Sequence, residues 1–242
     1  MNLYKFSSPK VFYPLAGSIF KYTLLPSIFF LVVGLYISFF LAPTDFQQGE
    51  AYRIIFIHVP AAWMSMIIYM AMAFWNIVGF SLKSKLSFMM SRALAPTGAI
   101  FTFIALITGA FWGRPMWGAW WVWDARLTSE LILLFLYIGY IALVMSFDDS
   151  KRGERVGAIY SIVSVINVPI IYFSVIWWNT LHQGASVSFN KAPSMAAMIV
   201  EGMLVMMLAF WTYSIAVVML RIRRIIVEYQ EEMLLMNHTT EG

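Results

Sequence analysis

Residues 129–147 read SELILLFLYIGYIALVMSF. Apart from Glu130 the stretch carries no charge, and it is close to the roughly 20 residues that an α-helix needs to cross a hydrocarbon core of about 30 Å. An apolar run of this length has no place in a soluble core. Runs of the same kind lie near 22–41, 54–80, 95–112, 156–177 and 196–220. The expected fold is therefore an all-α membrane protein with six transmembrane helices. Composition agrees, because 61% of the 242 residues are apolar and 12% are charged, against roughly 45–50% and about 25% in an ordinary soluble domain. The polar connections are all shorter than about 20 residues, so a single membrane domain over 1–242 is the economical reading.

The chain has no cysteine, which excludes disulfides, iron–sulfur ligation and thiolate chemistry. Lys5, Lys10 and Lys21 precede the first span. That span is too long for a signal-peptide core and lacks a small-residue cleavage pattern, so it is expected to be retained.

The net charge of +4 reports topology rather than a nucleic-acid partner. With a cytoplasmic N-terminus, the cytoplasmic segments hold Lys5, Lys10, Lys21, Lys83, Lys85, Arg92, Lys151, Arg152, Arg155, Arg221, Arg223 and Arg224. The other side holds only Arg53, Arg114, Arg126 and Lys191. Such a bias sets orientation, with both termini inside and membrane lipid as the surrounding partner. The outer face then consists of a loop at 42–53, a segment at 113–128 and a loop at 178–195.

The segment between the third and fourth spans is the unusual one. Residues 112–128 read WGRPMWGAWWVWDARLT and hold Trp112, Trp117, Trp120, Trp121 and Trp123, five of the ten tryptophans. An interfacial aromatic belt places one or two at a helix end. Were 116–128 helical, Trp117, Trp120, Trp121, Asp124 and Thr128 would share one face. Gly113, Pro115 and Gly118 would detach that piece from the third span and let it lie along the membrane surface. A flat aromatic shelf suits a large planar π-ligand with anionic carboxylates, and haem has that shape.

His58, in FIHVPAAW, stands near the outer end of the second span, and His182, in WWNTLHQG, just beyond the outer end of the fifth. Two histidines on the side of the aromatic segment favour axial ligation of haem iron. Zinc would require three or four ligands, and outer carboxylates are few. His238, in the cytoplasmic tail, is on the wrong side and reads as a solvated tail residue.

WGRPMWGAWWVWDARLTSELILLFLY (112–137), PTDFQQGEAYRIIFIHVPAAW (43–63) and PIIYFSVIWWNTLHQG (169–184) resemble the tryptophan-rich WWD signature of membrane haem-handling proteins. The form is that of the CcmC family of cytochrome c maturation system I, and the likeness covers roughly residues 42–185. The related CcmF and CcsA families resemble the chain less, having more spans. The resemblance implies haem b as cargo at the outer face, held by the aromatic segment with His58 and His182 as axial ligands. It further implies transfer to the chaperone CcmE, beside CcmD and the ABC transporter pair CcmA and CcmB. The location implied is the bacterial inner membrane with a periplasmic active face, or the mitochondrial inner membrane.

No GxxxxGK[ST] run occurs, so an ATP-driven step belongs to a partner and the chain reads as a binding and transfer subunit rather than an enzyme. Arg126 is the first candidate partner for a propionate, ahead of Arg53 and Arg114. Its structural alternative is an i,i+4 pair with Glu130. Asp124 is expected to orient a histidine or an indole N–H. Glu201 lies inside the sixth span, where an ionised carboxylate wants a partner or water. Asn167 and Pro169 should bend the fifth span and steer Trp177, Trp178 and His182. The competing function is a permease that moves haem or another aromatic substrate itself. It predicts inverted repeats, and the two halves show none that convinces.

Overall fold

The computed structural model describes residues 7–178, 180–182 and 195–240, with side chains as far as Leu234. Among the described residues seven α-helices make up the bundle: α1 (Pro9–Tyr36), α2 (Ile55–Leu82), α3 (Lys85–Trp117), α4 (Ala125–Met145), α5 (Ser150–Ser164), α6 (Asn167–Trp177) and α7 (Ala197–Thr240). Six stretches of the described residues are long and apolar enough to cross a membrane, with α5 and α6 together forming the fifth. The chain is a multi-pass membrane protein, and each expected span has its helix. Several helices run past the apolar windows: α1 begins at Pro9, α3 at Lys85, and α7 continues to Thr240. At 44 residues, α7 is about 66 Å long at 1.5 Å per residue, roughly twice the hydrocarbon core.

Between helices in lipid there is no hydrophobic force, so close packing and interhelical hydrogen bonds hold them together. Both devices are present. At the α1–α7 contact a Cβ on Gly34 would stand 2.6 Å from Met206 Sδ, so a larger residue there requires the methionine side chain to move. The main core lies between α2, α3, α4 and the fifth span, around Met64, Tyr69, Phe101, Leu133, Tyr137, Tyr140 and Ile171. Within it Tyr137 Oη donates to Ser65 O at 2.6 Å, and Asn76 Nδ2 donates to Ser91 Oγ at 2.8 Å and Ser161 Oγ at 2.6 Å. A second core ties α1, α3 and α7 through Ala16, Met89, Ile222 and Ile226. Arg221 Nη1 donates there to Ala93 O at 2.5 Å and Thr97 Oγ1 at 2.9 Å.

The fifth span breaks where expected. Pro169 has no N–H to offer Val165 O. Val168 N donates to that carbonyl instead, at 2.9 Å, and the helix resumes at Asn167. Glu201, one turn into α7, is exposed.

Candidate functional site

One end of the bundle gathers the starts of α2, α4 and α7 and the ends of α1, α3 and α6. The expectation of a helix over 116–128 is overturned there. α3 runs straight through Gly113 and Pro115 to Trp117 and stops at Gly118, whose φ of 76° is the left-handed C-cap conformation that glycine adopts without strain. Gly113 serves packing rather than breaking, since a Cβ on it would stand 3.0 Å from Trp117 Cε3. Residues 118–124 form an irregular connection, and α4 starts at Ala125. Asp124 is its N-cap, with Oδ1 accepting from Leu127 N at 2.8 Å. Without helical periodicity the tryptophans do not share one face.

They divide instead around a cavity. Trp112, Trp117 and Trp121 line it, with His58, His182, Arg126, Gln48, Met116, Leu181 and Glu130. Trp120 and Trp123 are exposed, and Asp124 lies outside the lining. Trp120 packs edge-on against Phe111, and Trp123 against Trp121. The cavity encloses about 140 Å³ and is partly open to its surroundings.

The two histidines meet in this cavity with ring centroids 6.3 Å apart and planes 35° from parallel. Trp112 stands edge-on to His58 at 5.7 Å, and Trp117 to His182 at 6.4 Å. His58 Nδ1 lies 3.0 Å from Ala105 O and 3.1 Å from Thr108 Oγ1. A carbonyl only accepts, so Nδ1 carries the hydrogen and donates it, leaving the Nε2 lone pair of the neutral ring for a metal. α3 comes close enough to make that bond because of Gly109, where a Cβ would stand 3.0 Å from His58 Cε1.

Arg126, in the first turn of α4, faces the cavity while its Nη1 donates to Ile171 O of α6 at 2.7 Å. The expected alternative, an ion pair with Glu130, is absent among the described residues. Glu130 Oε1 instead accepts from Ser65 Oγ at 2.8 Å, and its other oxygen has no hydrogen-bond partner among the described residues. The two weaker candidates are committed elsewhere. Arg53 pairs with Glu50 and donates to Ser38 O and Ala42 O, joining the end of α1 to the start of α2. Arg114 donates to Gly118 O and lies over the Trp120 ring.

Two polar lining residues, Gln48 and Glu130, were not assigned to the site from sequence. Gln48 Oε1 accepts from Trp112 Nε1 at 2.8 Å. It is held by Asp45 Oδ1, which accepts from the amides of Gln47 and Gln48 at 2.9 and 2.8 Å. An aspartate two and three residues ahead is an Asx-turn signature, so TDFQQ carried that signal. Glu130 was legible as a lone carboxylate in an apolar span, itself a functional flag. Most of the predicted loop at 178–195, with Lys191, lies outside the described residues, as does the side chain of His238.

A family model described as "Heme exporter protein C" (CcmC) matches residues 2–237. The chain belongs to the heme exporter protein C family. One family member, the "Heme exporter protein C" of Escherichia coli K12, is 50% identical over 185 residues, 76% of each chain. That of Haemophilus influenzae is 42% identical over 221 residues, covering 91% of this chain and 90% of the relative. A "putative cytochrome c biosynthesis ccmC-like mitochondrial protein" of Marchantia polymorpha is 51% identical over 160 residues, 66% of this chain and 68% of its own.

Proposed function

We propose that the cavity binds haem b as cargo with His58 and His182 as axial ligands. The chain then presents it at the periplasmic face of the bacterial inner membrane, or the equivalent mitochondrial surface, to the haem chaperone CcmE during cytochrome c biogenesis. The observation that carries this reading is the imidazole pair, 6.3 Å between centroids, in an indole-walled cavity. An imidazole nitrogen binds a first-row metal at about 2 Å, so two rings on opposite sides of one iron have centroids about 6 Å apart. Trp112, Trp117 and Trp121 supply apolar contact to the macrocycle, and Arg126 meets a propionate.

The printed names of the relatives, heme exporters and a cytochrome c biosynthesis protein, support the cargo and the pathway. The excess of Lys and Arg at the opposite end supports the periplasmic orientation. The chain acts as a transfer subunit, and energy for a cycle comes from the ABC pair CcmA and CcmB, with CcmD alongside.

The test is transfer. Haem-loaded protein in detergent is mixed with the soluble domain of CcmE and the two are separated by size. Haem absorbance moving to the chaperone is the expected result. Haem remaining wholly on the membrane protein would refute presentation.

A further inference from the structure

His182 lies five residues beyond the end of α6 at Trp177, so the placement of α6 sets where the segment that carries His182 begins. α6 has 11 residues, about 16 Å of helix, and a turn at Val165 and Ile166 separates it from α5. It packs on one side only: Asn167, Val168, Ile171 and Ser174 are buried, while Tyr172, Ile176 and Trp177 are exposed. Apolar packing of one face against α4 leaves sliding and rotation weakly specified, because lipid competes for the same surface. Directional bonds remove that freedom.

Two such bonds join α6 to α4. Asn167 Nδ2, buried at the root of α6, donates to Ser129 O at 3.0 Å. Arg126 Nη1 donates to Ile171 O at 2.7 Å. The pairs run 129 with 167 and 126 with 171, one turn apart on each helix and in the reversed order of antiparallel neighbours. Arg126 has donors to spare, five in all, so it holds Ile171 O and still faces the cavity. Asn167 does not line the cavity.

We propose that Asn167 is a positioning residue for His182: its amide, with Arg126, pins α6 onto α4 and so sets how closely the His182 ring approaches His58. This rests on the reading of both histidines as axial ligands. Asn167 touches no cargo and acts through the α6 backbone. Outer partners that orient a metal ligand typically change affinity by about 10–100-fold when removed.

The experiment uses the full chain, loaded with haem in detergent, and reads spin state and retention. Asn167→Leu keeps the size of the side chain and removes the donor. More than half of the bound haem should become high-spin, retention should fall by about tenfold, and added imidazole should restore the low-spin spectrum. Asn167→Gln, which keeps an amide donor, should remain low-spin. Should Asn167→Leu fail to accumulate, Asn167→Ala also lacks the donor and carries the same expectation. An unchanged low-spin fraction in the donor-less variant overturns the proposal. His182→Ala separates the two levels. If it turns the haem high-spin while Asn167→Leu does not, only the positioning role fails; if it leaves the haem low-spin, the ligand assignment itself is wrong.

Discussion

His58 depends on a residue with no side chain. Because a Cβ at Gly109 would stand 3.0 Å from the imidazole, a branched residue there must push the ring off Ala105 O and out of line. Gly109→Val should lower haem retention by about tenfold, the scale of a lost orienting contact, as read by pyridine haemochrome after purification. Retention equal to wild type would mean that the Ala105 bond does not matter. Cation placement gives a second test at this scale. Arg126→Ala should lose more haem than Arg114→Ala, since only Arg126 faces the cavity; equal loss would remove Arg126 as the propionate partner. Sequence singled out both histidines, Arg126 and the tryptophans because their chemistry is distinctive. Gly109 and Gln48 were not singled out, because their importance lies in what stands opposite them in space.

At the scale of elements, apolar length located six spans but not their ends, because hydropathy registers the part of a helix in lipid and not its continuation into water. α7 past Leu220 and the first turns of α3 are of that kind. The tryptophan segment was misread for a different reason. Its i, i+3, i+4 spacing fits a helix, but Trp117 already closes α3 at the left-handed Gly118 and Asp124 opens α4. Too few residues remain between those caps for a separate helix. Asp124 thus anchors the segment through its cap. Asp124→Ala should cost about 0.5–2 kcal/mol, and Asp124→Asn much less, since both Asp and Asn cap well. Thermal unfolding in detergent measures this; equal loss in the two variants would place the role of Asp124 in its charge rather than in capping.

For the whole molecule, the proposed topology has six crossings with both termini on one side and the cavity on the other, oriented by the basic residues. A chain without cysteine lets single cysteines report this directly. Phe46, 99% exposed in the loop beside the cavity, and Lys151, exposed at the opposite end, suit the purpose. In intact cells a membrane-impermeant maleimide should label Phe46→Cys at once and Lys151→Cys only after permeabilisation. The reverse pattern would invert the topology and remove periplasmic presentation with it. The most direct measurement of the central claim is the visible and electron paramagnetic resonance spectrum of the purified, haem-loaded chain. The account predicts a six-coordinate low-spin haem in the wild type that becomes high-spin in His58→Ala and in His182→Ala; a low-spin spectrum surviving in both variants would contradict it.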